Sequence, residues 1–230
     1  MNPLFVLAQV PLNEPTAAAA PHVEKSISYL DLIMSGGWIM IPIMIMSVVA
    51  VYIFVERFLA IRHAAKLDAT FMDRIRDYIH EGKVDAAITL CQGTDHPLAR
   101  MIEKGVKKIG RPLKEIEESI EVVGKFEVYK LEKNLTVLAV LAGIAPMFGF
   151  IGTIAGVIKI FYNISLADNI SIGIIAGGLY QKMVTSAAGL LVGIIAFIGY
   201  HWLSILVDRI VHRLETNVMS FIDILQEPVK

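Results

Sequence analysis

Three stretches of this chain run without a formal charge for 18 residues or more. Trp38–Val55 spans 18 residues, closed by Glu56 and Arg57. Asn134–Ile158 and Met183–Val207 each span 25. A helix crossing a bilayer needs about 20 mostly apolar residues, so the pattern predicts three transmembrane helices over 38–57, 134–162 and 172–207. Uncharged runs of 25 are too long for ordinary buried core helices. Between the first two spans the pattern changes to an amphipathic one. "DATFMDRIRDYIHEG", "KVDAAITLCQG" and "DHPLARMIEKGVKKIG" predict short helices ended by Gly82, Gly93 and Gly110, the last opened by Pro97.

From Pro112 onward apolar residues recur at Ile116, Ile120, Val123, Phe126/Val128 and Leu131, and no proline follows until Pro146. That predicts one continuous helix over 112–163, about 75 Å long at 1.5 Å per residue. The third span also continues past its apolar run through Ile210/Val211, Leu214, Val218, Phe221/Ile222 and Leu225. The expected fold is an all-α integral membrane protein. Two of its three spans are long and extend into a helical bundle, over 58–133 and 208–230. Helices that project so far suit a homo-oligomeric ring, although the same faces also fit a monomer with internally packed helices. Upstream, "SISYLDLIMSGG" (26–37) predicts an amphipathic interfacial helix.

Composition agrees with a membrane protein. Hydrophobic residues make up 55%, charged residues 19%, and mean hydropathy is +0.61, against a quarter charged in ordinary soluble domains. A net charge of -1 gives no basic field for nucleic acid. The single cysteine, Cys91, excludes an intrachain disulfide. No metal-ligand cluster, phosphate loop or nucleophile–base pair stands out, and the six histidines are scattered, so neither an enzyme nor a cofactor is expected. Residues 1–25 read as a flexible tail, with a cleaved leader ending near "TAAAAP" as the alternative.

Charge placement orients the spans. The segment Arg57–Lys133 holds 15 of the 21 Lys and Arg residues. Arg209 and Arg213 follow the third span, whereas only Lys25 precedes the first and only Lys159 borders the turn at 163–171. Cationic loops stay in the cytoplasm, so the N-terminus and the 163–171 turn are expected outside. The large middle segment and the C-terminus are expected inside.

Small and polar residues mark the second and third spans. Gly149 with Thr153 and Gly152 with Gly156 form two small-xxx-small pairs, and Gly189 with Gly193 forms a third. Such pairs let helix backbones approach closely in lipid. "GGLYQKMVTSAAGLLVG" (177–193) adds Gln181, Lys182, Thr185 and Ser186 to an apolar run. The hydroxyls of Thr153, Thr185 and Ser186 can bond back to their own helices. Lys182 is costly in hydrocarbon, about 2.5–3.5 kcal/mol at a span centre, so it must snorkel, face water or pair with an acid. Gln181 and Thr185 share one helix face and Lys182 and Ser186 the adjacent one. With Thr153 opposite, they fit a narrow polar lumen.

"APMFGFIGTIAGV" in the second span, "TSAAGLLVG" in the third and "GWIMIPI…ERF" at the first resemble the ExbB/TolQ/MotA proton-channel family over residues 28–225. The "GWIMIPI…ERF" stretch resembles ExbB-type members most closely. The resemblance implies a homopentamer in the bacterial inner membrane, around single-span helices of an ExbD- or TolR-like partner. The partner's aspartate carries protons, and TonB- or TolA-like proteins deliver the motion to the outer membrane. It places Thr153 on the family's pore threonine and Ser186 on a pore hydroxyl position. Gln181 stands where many members carry glutamate and cannot titrate. Lys182 is not typical of the family at its place. The rival readings are a TolQ-like motor for envelope integrity and a scaffold that does not conduct.

Overall fold

The computed structural model describes residues 37–66, 68, 70–166 and 172–227. It is helical throughout. α1 is Met40–Ala64, α2 Phe71–His80, α3 Val84–Gln92 and α4 Pro97–Val106. α5 is Leu113–Glu132, α6 Leu135–Ser165 and α7 Ile172–Gln226. Helices long and apolar enough to cross a membrane number three among the described residues, with their apolar windows in α1, α6 and α7. The tail and interfacial helix expected over 1–36 lie outside the described residues, as does most of the 163–171 turn.

Two kinds of packing divide the molecule. In the apolar half, α6 and α7 lie against each other along their lengths and α1 covers one side. Large side chains there point outward, among them Val48, Tyr52, Ile144, Met147, Phe150, Ile195 and Ile198. An outward-facing shell of this kind is what a bilayer solvates. In the polar half, α2–α5 gather around the extension of α7, with Ile75, Leu98, Ile102, Ile120 and Phe221 fully buried. Burying each such side chain contributes about 1.5–3 kcal/mol.

The continuous helix expected over 112–163 is corrected. α5 ends at Glu132, and Asn134 adopts a left-handed conformation (φ 67°) before α6 starts at Leu135. Apolar periodicity carries no signal for this break, because the spacing resumes in phase after it. Asparagine is among the few side-chain-bearing residues that enter this region readily. Its Nδ2 donates to Glu56 Oε2 at 3.5 Å, which ties the break to α1. α7, by contrast, is unbroken for 55 residues.

The short helices fall close to expectation. Gly82 (φ 68°) and Gly110 (φ 94°) take the left-handed conformation that stops a helix, whereas Gly93 stays right-handed. α4 begins at Pro97, and His96 caps it by accepting from Leu98 N at 3.1 Å.

Candidate functional site: the α6–α7 crossing

α6 and α7 meet backbone to backbone where Gly149 faces Ser186 and Gly189. A Cβ on Gly189 would stand 2.7 Å from the Ala145 carbonyl oxygen and 2.9 Å from Gly149 Cα. A Cβ on Gly149 would stand 3.1 Å from the Ser186 carbonyl oxygen. These are backbone-to-backbone contacts, the geometry small-xxx-small spacing permits. Pro146 inside α6 has no N–H and so leaves the Ala142 carbonyl without its helical donor. Gly193 accommodates both: its Cβ would lie 2.5 Å from the proline ring and 3.1 Å from the Ala142 oxygen.

The polar residues of the two helices differ in burial. Thr185 is fully buried. Its Cγ2 lies 3.0 Å from where Gly152 would carry a Cβ, and Ile39 of the segment leading into α1 closes the same spot at 3.4 Å. Thr153 and Ser186 are half-buried, and Thr153 Oγ1 donates to the Phe150 carbonyl at 2.7 Å. That bond satisfies the hydroxyl within its own helix and leaves its lone pairs available to a second donor. Gln181 lies in α7, but its side chain is outside the described residues.

Lys182 is placed by a glycine. Its Cγ, Cδ and Cε occupy the space above Gly156, 2.1–2.4 Å from where a Cβ would be, and its Nζ reaches to 3.9 Å from the same position on Gly37. The alkyl stem therefore lies along α6, and the ammonium is carried toward the segment that leads into α1.

Contacts fix the relative levels of the helices. Ile39 is level with Gly152, Phe54 packs on Gly199 with Leu138 behind it, and Asn134 reaches Glu56. The 153/185/186 cluster consequently lies within about one helical turn of the level where α1 starts.

At the opposite end, sequence reasoning missed a network of charged groups. Arg57, 7% exposed, pairs with Glu56 and donates through Nη1 to the Lys130 carbonyl at 3.0 Å. Glu127, 3% exposed, accepts from Arg100 at 2.7 Å and Lys130 at 2.8 Å. Burial pushes the Glu127 carboxyl up, but the bonds from Arg100 and Lys130 outweigh it and hold it below the usual carboxylate range. The available signal was Glu56–Arg57 at the end of an uncharged run. Among the described residues no three His, Cys, Asp or Glu side chains gather as a metal site would require.

Comparison with known proteins agrees with this architecture. The model of a family described as the MotA/TolQ/ExbB proton channel family matches residues 93–216, more than half of the chain. A protein named "Putative biopolymer transport protein ExbB homolog" from Methanothermobacter thermautotrophicus is 25% identical over 85% of this chain and 70% of its own. "Biopolymer transport protein ExbB" from Neisseria meningitidis is 24% identical over 76% of this chain and 83% of its own. "Tol-Pal system protein TolQ" from Pseudomonas aeruginosa is 23% identical over 91% of this chain and 97% of its own.

Proposed function

The chain belongs to the MotA/TolQ/ExbB proton channel family, and from that premise we propose that it is the ring-forming, proton-conducting subunit of an ExbB-type motor in the bacterial inner membrane. The proposed assembly is a homopentamer around single-span helices of an ExbD-like subunit, linked through a TonB-like protein to outer-membrane receptors. The N-terminus faces the periplasm, and the polar half and C-terminus face the cytoplasm. Supporting this orientation, 15 of the 21 Lys and Arg residues lie in the segment between the first two spans.

One observation carries the reading. The glycine crossing encloses Thr185 but leaves Thr153 and Ser186 on a face that is half open. In the ring that face turns toward the partner's helices, and the two hydroxyls pass hydrogen bonds to a partner carboxylic acid or to water. The acid is the titrating group, since Gln181 cannot exchange a proton at useful pH. The hydroxyls stabilise the partner's acid in both states, because each can donate and accept. Voltage alone contributes about 2.3 kcal/mol per charge per 100 mV. Lys182 lays its stem over Gly156 and turns its ammonium toward Gly37, about one helical turn from the hydroxyl cluster.

The test is uptake of an outer-membrane receptor substrate in a host lacking this chain. Wild-type protein restores proton-dependent uptake, and Thr153→Val at equal abundance does not. Full restoration by Thr153→Val would remove the pore assignment. A TolQ-type role is the second reading, favoured by the TolQ relative that matches 91% of this chain. It predicts intact uptake with a leaky, poorly dividing envelope. A scaffold that does not conduct predicts restoration that is independent of the proton gradient.

A further inference from the structure

Between α1 and α7, at the depth of the bilayer, lies an open apolar cavity of about 380 Å³. Small residues create it: Ser47 and Ala50 on α1, Ala196 and Gly199 on α7. Its lining is almost wholly hydrocarbon, and Phe54, Phe58 and Trp202 stack on one another at one end, with centroids 5.7–6.3 Å apart. That end is level with Leu138, one turn from the Asn134 break, which is where the polar half begins. Stacked aromatic rings with an indole at this level are typical of a bilayer interface.

The tracks that line the cavity continue into cations. On α7, Leu191, Ile195, Ile198, Trp202 and Ile205 recur at alternating steps of four and three, and the next step of four is Arg209. On α1, Val51, Phe54 and Phe58 are followed four residues on by Arg62. Both arginines are exposed. An apolar slot, an aromatic boundary and two exposed guanidinium groups beyond it follow the order of parts in a phospholipid. Water does not fill so apolar a space at this depth, and a void would forfeit the dispersion contacts of its lining.

We propose that the α1–α7 groove is a binding site for one anionic phospholipid of the leaflet on the polar-half side. One acyl chain lies between Ala50 and Ala196, the glycerol region meets Trp202, and the phosphate meets Arg62 and Arg209. Guanidinium suits phosphate because its fork donates two parallel hydrogen bonds. The site is independent of proton conduction, requiring only that α1 and α7 cross the bilayer.

The test uses the full-length protein in nanodiscs of phosphatidylglycerol or phosphatidylcholine. Native mass spectrometry after detergent transfer counts both retained lipid and protein copies. Wild type is expected to retain phosphatidylglycerol preferentially. The double variant Arg62→Gln/Arg209→Gln should lose that preference, at about fivefold per arginine. Val51→Trp/Ile198→Trp, which fills the groove from its exposed rim, should lose the lipid while the copy number stays unchanged. Equal retention of the two lipids, unaffected by either variant, would overturn the proposal. So would a fall in copy number with lipid unchanged in the tryptophan variant, which would make the groove a face between copies. If the tryptophan pair fails to fold, the arginine pair decides alone, since both its side chains are exposed.

Discussion

Arg57 on α1 donates to the carbonyl of Lys130 on α5 at 3.0 Å. Because α5 stops at Glu132, its last carbonyls lack helical donors, and Lys130 is one of them. A side chain at the end of one helix thus completes the end of another.

Replacing Arg57 with alanine removes that donor and the partner of Glu56. The expected loss is about 1–3 kcal/mol, read as a lower unfolding temperature in detergent. Arg57→Lys recovers only part of it, since one ammonium cannot reproduce the guanidinium fork.

Asn134 has φ 67°, a region that costs most residues about 1–2 kcal/mol. Asn134→Gly should leave stability nearly unchanged and Asn134→Leu should lower it by about that amount. Chemical denaturation in micelles compares the two. A leucine variant as stable as wild type would mean the helix heals across the break.

Glycines at the crossing should differ by what faces them. Gly189→Ala meets the α6 backbone at Ala145 and Gly149 and should cost about 1–3 kcal/mol. Gly156→Ala meets first the stem of Lys182, from Cγ outward, so it should cost less than Gly189→Ala and displace Lys182 to another rotamer. Gly143→Ala, with open space around it, serves as the neutral control. Thermal unfolding ranks the three.

Acid should weaken the polar half through His96. Burial is the main cause holding its imidazole below the ordinary value, with Arg100 and His63 adding to it against a hydrogen bond to the Ala64 backbone and Asp95. Its Nδ1 must be unprotonated to cap α4. Above about pH 6.5 the neutral form prevails folded and unfolded, and stability is full. Below it the unfolded chain takes up a proton the folded one resists, so stability falls as pH drops toward the folded pKa. His96→Asn keeps an N-cap acceptor and should flatten stability below about pH 6.5.

Cys91 should be inert. Burial is the first cause and Glu103 the second in raising its thiol to about 12, leaving almost no thiolate at neutral pH. A membrane-impermeant maleimide should therefore label Leu166→Cys from the periplasmic side on an otherwise native background. Labelling only after the membrane is opened would reverse the proposed orientation.

Much of this was legible in the sequence, because lipid imposes a simple rule: an uncharged run long enough to span becomes a helix. α1, α6 and the unbroken α7 follow from it, and the glycines at 149, 152, 156, 189 and 193 announced a close crossing. The break at Asn134 was not legible. One left-handed residue shifts the path of the chain without disturbing the apolar spacing on either side. The burial of Thr185 and the half-exposure of Thr153 and Ser186 depend on how α6 and α7 rotate about their axes. Spacing alone put all of them on one lumen. Lys182 needed its glycine: nothing in the residue order says that its stem would lie over Gly156 and end beside Gly37.

The unbroken α7 and the interrupted α5–α6 pair make two arms of different continuity lying side by side. α7 is about 83 Å long, with no hinge from Ile172 to Gln226. A tilt of its membrane part by 5° would carry its far end about 5 Å sideways if the pivot lay 50–60 Å away. Its neighbour is interrupted at Asn134 instead, so its two halves are not a single lever. Phe221, buried against the α4 end of the bundle, sits where the unbroken arm would deliver the displacement.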